Sequence, residues 1–475
     1  MSEIREALGH GDPLFHTMSE KLQLYGEEGV GIQIDEPSSI YRVPSSTWKV
    51  DPGAYEPQVV SIGPYHRQNP KLHAMEDHKW RYMRNLLRRR TQSNFNLVLK
   101  LCIEKVKQSE ARARSCYKVP FYISNYDFVM MLVLDGCFIL ELFHTCFYGA
   151  MEDDLIYAIP WMFPAIWRDL LKLENQIPFF ILLDLFTVNI VTTELTNLSL
   201  KELAFSFLEA GPLKIVDPFE EEEACNLNPV GEEKIYHLLH FYHILLQPTV
   251  DAWTGKPSTC SSMKSVIFEK MNNWMPHILR KPSLPKVVRG PDNMIPCIVE
   301  LREAGIKFRR KQGAKTVLNV AFRDGVLHIP CLSVEDNTNS VFRNLLAFEQ
   351  FCPNNWHYIT TYTTFLDCIV NTAKDVTILQ QYNVIENMLG SEEELALLIN
   401  QLGKDVTVCP RCHYLKRVFR EVNEYCESKW HKHRASCMRD YFGTPWSMLS
   451  VFAAVALLLM TLIQVIVAIL SYQKQ

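Results

Sequence analysis

Cys409, Cys412 and His413 stand in a C-x-x-C-H arrangement, which in form is the attachment site of a c-type haem. Zinc is the other metal such residues suit, and it needs two further ligands. Cys426, His431, His433 and Cys437 follow nearby in sequence. Haem attachment takes place outside the cytosol, whereas the charges flanking the C-terminal apolar run assign this stretch to the cytosolic side. The cysteines are therefore read as incidental, and no metal or cofactor is expected. His66 and His78 flank a segment holding Glu76 and Asp77. Acid–base chemistry uses such residues, but no H-E-x-x-H or comparable spacing joins them. Asp135, Glu141, Asp169, Glu174, Asn175 and Gln176 lie beside apolar runs, and buried acids need partners. They are read as a polar network tying helices together. The alternative is a membrane-bound hydrolase or transferase using the acids near Asp135 and Glu174. No G-x-x-x-x-G-K-[ST], G-x-G-x-x-G or G-x-S-x-G occurs, and 19 glycines in 475 residues leave little material for a phosphate-cradling loop. No catalytic residue is assigned.

The elements that must position these residues are mostly helical. Hydrophobic residues make up 48% of the chain, ample for a core, and the net charge of −4 gives no electrostatic reason to expect nucleic acid. The 14 cysteines form no regular framework, so reduced thiols are expected. The N-terminus lacks a basic region followed by an apolar run, which argues against a secretory signal.

Residues 1–36 read as a loose leader, and residues 37–440 as a helical domain with subdomain hinges near 211–232 and 281–296. The proline-rich stretch 37–72 suits short extended pieces, with Gln58–Ile62 the best strand candidate. Leu72, Met75, Lys79, Tyr82, Met83, Leu86 and Leu87 recur at helical spacing, with Arg81, Arg84 and Arg88–Arg90 on the other face. Ser124 and Asp127 form a capping box before an apolar run from Phe128 to Phe143. Asp135 and Glu141 interrupt that run, so it is read as a core helix. Further helices are expected over Ala165–Glu174, Phe179–Phe186, Ile295–Gly305, Val341–Phe351, Tyr358–Thr372, Val376–Leu389 and Tyr414–Asp440. Asp324-Gly325 predicts a hairpin joining strands near Val317–Phe322 and Val326–Ile329.

Residues 441–475 read as a membrane anchor. From Met448 to Leu470 only Thr461 and Gln464 depart from apolar or small residues. A helix over 448–470 reaches about 35 Å, enough for a hydrocarbon core of about 30 Å. Thr444-Pro445 suits a helix start, and Tyr441, Phe442, Trp446 and Tyr472 suit interfacial anchors. Lys429, Lys432, Arg434 and Arg439 precede the span and only Lys474 follows. The positive-inside rule then places the bulk of the chain in the cytosol, as a single-pass, tail-anchored protein of the plasma membrane or an endomembrane. Membrane lipid is thus one partner. Gln464, Ser450 and Ala454 hint at self-association through the helix.

Several ordered stretches carry a resemblance. They are Ile40–Pro44, Tyr55–His66, His78–Tyr82, Asp135–Glu141, Asp169–Phe179, Leu301–Phe308, Phe342–Glu349 and Tyr441–Trp446. Together they resemble the plant family catalogued as domain of unknown function 247, from about residue 40 to the end. The resemblance implies a large helical domain with a C-terminal membrane segment and no established catalytic residues. It also implies a link, for some grass members, to pollen-side self-incompatibility. The expected fold is therefore mainly α: a large helical domain with a minor β-hairpin, plus one C-terminal transmembrane helix. The expected function is a membrane-anchored protein-recognition or signalling-scaffold module with a protein partner.

Overall fold

The computed structural model describes residues 38–88, 95–149, 154–191, 198–213, 215, 235–248, 294–351, 357–404, 413–427 and 445–472. The expected leader 1–36, most of both expected hinges and residues 428–444 lie outside these.

The N-terminal half is assembled around one helix. Helices α1 (Glu76–Arg88), α2 (Phe95–Gln108), α3 (Asn125–Tyr148), α4 (Met162–Leu170), α5 (Phe179–Val191), α6 (Leu200–Glu209) and α7 (Leu238–Leu245) follow in order. Ser124 Oγ accepts from Asp127 N at 3.0 Å, as the capping box predicts, and starts α3. Helices α1, α2, α5 and α6 pack around α3. It is apolar on all sides because neighbours cover all sides. Among the described residues it is the one helix long and apolar enough to cross a membrane, and 89% of its apolar window is buried. It is the core helix that Asp135 and Glu141 indicated. On α1 the buried set is Lys79, Tyr82, Met83, Leu86 and Leu87, with Arg81, Arg84 and Arg88 exposed, matching the helical spacing.

The C-terminal half mixes helices with two small sheets. Helix α8 (Ile298–Glu303) precedes β1 (Lys307–Arg310), β2 (Ala321–Arg323), β3 (Val326–Ile329) and β4 (Leu332–Val334). Next come α9 (Asp336–Phe351), α10 (Tyr358–Ile369), α11 (Ala373–Gln381), β5 (Ile385–Asn387), α12 (Glu392–Leu402), α13 (Lys416–Glu427) and α14 (Pro445–Tyr472). β2 and β3 form the expected antiparallel hairpin. Its turn residues Asp324 and Gly325 both have positive φ, 52° and 73°, as a two-residue turn between twisted strands requires. β1 adds a parallel strand on the other side of β3, and β4 pairs with β5 in a second, parallel sheet. A single apolar cluster runs from Ile40 to Val422 through both halves.

Three expectations are corrected. Gln58–Ile62 forms no strand: the chain bends at Gln58 and Val59, and side chains take its backbone groups. The helix expected over Ala165–Glu174 ends at Leu170, since Asn175 and Gln176 accommodate the chain reversal by bonding the carbonyls of Asp169, Leu170 and Lys172. The helix expected over Val376–Leu389 ends at Gln381. Asn383 turns the chain at φ 53°, and the next residues pair with β4 through Leu332 N to Val384 O at 2.9 Å. Apolar Val384 and Ile385 fit either period, so the sheet partner decided.

Helix α14 runs 28 residues. Its described side chains, Phe452–Ile466, are all exposed, Leu458 by 71%. That described apolar stretch is shorter than the about 20 residues a membrane span takes, so it does not by itself establish the expected transmembrane helix 448–470.

Candidate functional site

Asp135, Asp169, Glu174, Asn175 and Gln176 converge on one place, whereas Glu141, also buried, lies apart from it near Tyr82 and Tyr157. The end of α4 and the turn after it, Asp169 to Gln176, with Lys79 and Asp135, enclose the segment Gly53–Gly63, a short helical turn through Tyr55 followed by irregular chain. Asp169 Oδ atoms accept from the backbone N–H of Gln58, Val59 and Val60 at 2.6–3.0 Å. Asn175 accepts from Ile62 N at 2.7 Å and donates to Val60 O at 3.0 Å. Asp135 accepts from Gly63 N at 2.9 Å and from Lys79 Nζ at 2.7 Å. Lys79 also donates to Ser61 O and Glu76, and Lys172 to the carbonyls of Gly53 and Glu56. Glu174 accepts from Val43 N at 2.7 Å, with His66 Nε2 3.4 Å away. Side chains thus satisfy the buried N–H and C=O groups of an irregular segment that has no strand or helix partner for them.

The electrostatics fit a structural clamp. Asp135, Asp169, Lys79, Lys172, Asn175 and Gln176 are all at most 2% exposed. Burial pushes the carboxyls of Asp135 and Asp169 up, opposed by Lys79 and Lys172 and by the backbone donors. Burial lowers Lys172 to about 8, opposed by Asp169 at 3.7 Å. Neither Asp135 nor Glu174 lines either of the two surface clefts. Asp135 thus holds Lys79 and the Gly63 N–H, and Glu174 holds the Val43 N–H beside His66, as a polar network tying segments together does.

Gly63 shows how tightly the clamp closes. Its φ is +73°, and a β-carbon there would lie 2.5 Å from Gln176 O. Only glycine meets both conditions.

A second buried polar group escaped sequence reading. His237, His240 and His243 recur every three residues along α7, all at most 6% exposed. His237 donates from Nε2 to Ser39 O at 3.1 Å while its Nδ1 accepts from His240 N, capping α7. Burial lowers His237 to about 3 and His240 well below its ordinary value. His243 lies 2.7 Å from Glu349, whose carboxylate also accepts from Ile359 N and Thr360 N. Glu349 thereby caps α10 in trans, where the adjacent His357 supplies no cap. The signal was the three-residue histidine repeat, which periodicity alone cannot separate from an exposed stripe.

Of the C-x-x-C-H motif, Cys409 and Cys412 lie outside the described residues. His413 packs on Phe419 at 5.1 Å, and burial lowers it to about 4. Among the described residues no three His, Cys, Asp or Glu are grouped to hold a metal, and the eight described cysteines are unbridged. His66 turns to Glu174 and Glu76 to Lys79, so the His66–His78 segment forms no shared centre.

Two open clefts mark the surface. One, about 440 Å³, is lined by Gln58, Val59, Trp161, Arg168, Asp336 and neighbours. Trp161 is 60% exposed there, and Arg168 bridges Gln58 and Asn337 at 2.6 and 3.0 Å. The other, about 1080 Å³, lies against β1 and β3.

Comparison with known proteins places these features in one family. A family model described as a plant protein of unknown function matches residues 40–460. A UPF0481 protein of Arabidopsis thaliana is 32% identical over 449 residues, covering 92% of this chain and 87% of its own. A putative UPF0481 protein of the same plant is 24% identical over 486 residues, covering 91% and 90%. No solved structure matches.

Proposed function

The chain belongs to the plant DUF247 family of proteins of unknown function, and from that premise we propose that it is a membrane-anchored protein-recognition or signalling-scaffold module. The observation that carries the reading is α14: a 28-residue helix whose described side chains are all exposed and, apart from Thr461 and Gln464, all apolar. A helix apolar on every face needs an apolar surrounding, and with its flanking aromatic residues the surrounding it suits is a bilayer. The excess of basic residues before it favours a cytosolic position for the large domain.

The recognition half rests on a surface cleft of the large domain. The carboxylates hold backbone, and the Trp161 cleft presents an exposed aromatic ring beside Arg168 and Asp336. Tryptophan and arginine are the residue types that dominate protein interfaces. Self-incompatibility recognition, to which some grass members are linked, is one setting for such a module.

Fractionation tests the anchor. The full chain should resist alkaline carbonate extraction from plant membranes, and a variant ending at residue 444 should be released. An N-terminal tag should be digested by protease added outside sealed, cytosol-side-out vesicles. Release of the full chain by carbonate would sink the anchor. For recognition, native-membrane capture should yield a partner that Trp161→Ala loses without a change in melting temperature. Repeated capture with no partner above background would sink that half.

A further inference from the structure

The β1–β3–β2 sheet has one basic face. In register Arg309 stands beside His328, and Lys307 and Arg323 flank Val326. Residues two apart on a strand share a face, so Lys307, Arg309, His328 and Arg323 line one side, while buried Phe308, Phe322, Leu327 and Ile329 line the other. The cleft of about 1080 Å³ opens beside β1 and β3 and takes Arg309 and His328 from this face, while Lys307 and Arg323 lie outside its wall. Its lining includes Arg309, Arg310, Lys311 and His328, and contains no Asp or Glu. Arg310 is tied to Glu386 at 3.2 Å. Burial lowers His328, and Arg309, Lys311 and Arg323 add to the effect, an independent sign of positive potential.

Thr316 supplies the second observation. It lines the same cleft, is 0% exposed, and its Oγ1 has no hydrogen-bond partner. A buried hydroxyl is ordinarily satisfied. Here the unmet donor sits in the wall of a basic cleft. Gly313, also in the lining, has open space where a β-carbon would stand, leaving its backbone approachable.

We propose that this cleft binds a compact polyphosphorylated anion, with Arg309 and Lys311 as cationic contacts and the Thr316 hydroxyl as a donor to a phosphate oxygen. Guanidinium and ammonium groups make their strongest hydrogen bonds to phosphate, and clustered cations raise the local concentration of a multivalent anion. The ligand chemistry is the same whether the phosphates are free, as in an inositol polyphosphate, or displayed on a lipid headgroup. A long nucleic acid fits less well, because the basic surface is one short sheet.

The test uses the full chain in phosphatidylcholine nanodiscs, titrated with inositol hexakisphosphate, and vesicles carrying phosphatidylinositol 4,5-bisphosphate as the second arm. Saturable binding of the soluble probe that weakens with salt supports a free ligand; binding confined to the vesicles supports a headgroup. In either arm the double variant Arg309→Glu/Lys311→Glu should weaken binding about tenfold or more. Thr316→Val should weaken it about threefold to tenfold at unchanged melting temperature, and Arg81→Glu/Arg84→Glu on α1 should leave it unaltered. No binding in either arm, affinity indifferent to the double variant, or equal affinity for a 20-nucleotide RNA would overturn the proposal.

Discussion

At Asp169 one carboxylate serves three consecutive backbone N–H groups. An unpaired buried donor costs about 1–3 kcal/mol, so several left together exceed what a single ordinary core change removes. Asp169→Ala should lower the unfolding free energy by about 3–5 kcal/mol, measured by urea denaturation. Asp169→Asn keeps the shape but turns a donor toward donors, and should recover only part of that loss. Gly63→Ala should cost about 2 kcal/mol or more, because the left-handed φ and the Gln176 carbonyl both oppose a β-carbon. A Gly63→Ala variant as stable as the parent would contradict this account of the clamp. Neither effect was legible in sequence. The Asp and Glu residues beside apolar runs announced a polar network, but which backbone groups they take depends on segments about 70–130 residues apart.

Among elements, α7 and α10 show polar residues placing helices. His237 and His240 are buried and held neutral. Their folded pKa values lie below the unfolded value near 6.5, so the unfolded chain binds more protons as pH falls. Stability should therefore be undiminished by these groups above about pH 7 and decline as pH falls below about 6.5, for His237 until about pH 3, with a limiting slope of about 1.4 kcal/mol per pH unit for each group that protonates only on unfolding. Thermal melts from pH 7 to pH 4 check this. His237→Asn retains a capping side chain and should make the slope shallower; an unchanged slope would remove His237 from the explanation. Glu349→Gln should destabilise by about 1–3 kcal/mol through the α10 terminus, read as faster amide exchange at Ile359 and Thr360. Helices α1 and α3 were legible because apolar spacing and a capping box are local signals. The end of α11 was not, because its continuation is a strand paired to β4.

For the whole molecule, one core joins both halves, from Ile40 to Val422, and α9 is the tie. Asn344 bonds Leu173 N and Ala54 O, and Ser340 bonds Ala54 O at 2.7 Å. The described residues should then unfold in one cooperative transition, so calorimetric and van't Hoff enthalpies should agree for a variant ending at residue 444. Two separated transitions, moved independently by Asp169→Ala and Glu349→Gln, would show the halves to be independent.

The amino-acid sequence by itself determined what depends on neighbours along the chain: a mainly helical protein, the faces of α1 and α3, the Asp324-Gly325 hairpin, and the family through its ordered motifs. Each rests on periodicity, capping or turn chemistry within a few residues. Tertiary structure alone decided the roles of the polar residues. Whether a carboxylate is a catalyst or a clamp depends on what faces it and on access to solvent, and Asp135, Asp169 and Glu174 face backbone. The same holds for the basic sheet face, where β1 and β3 bring Arg309 beside His328. A strand partner farther along the chain, and a buried hydroxyl beside it, leave no periodic trace in the sequence.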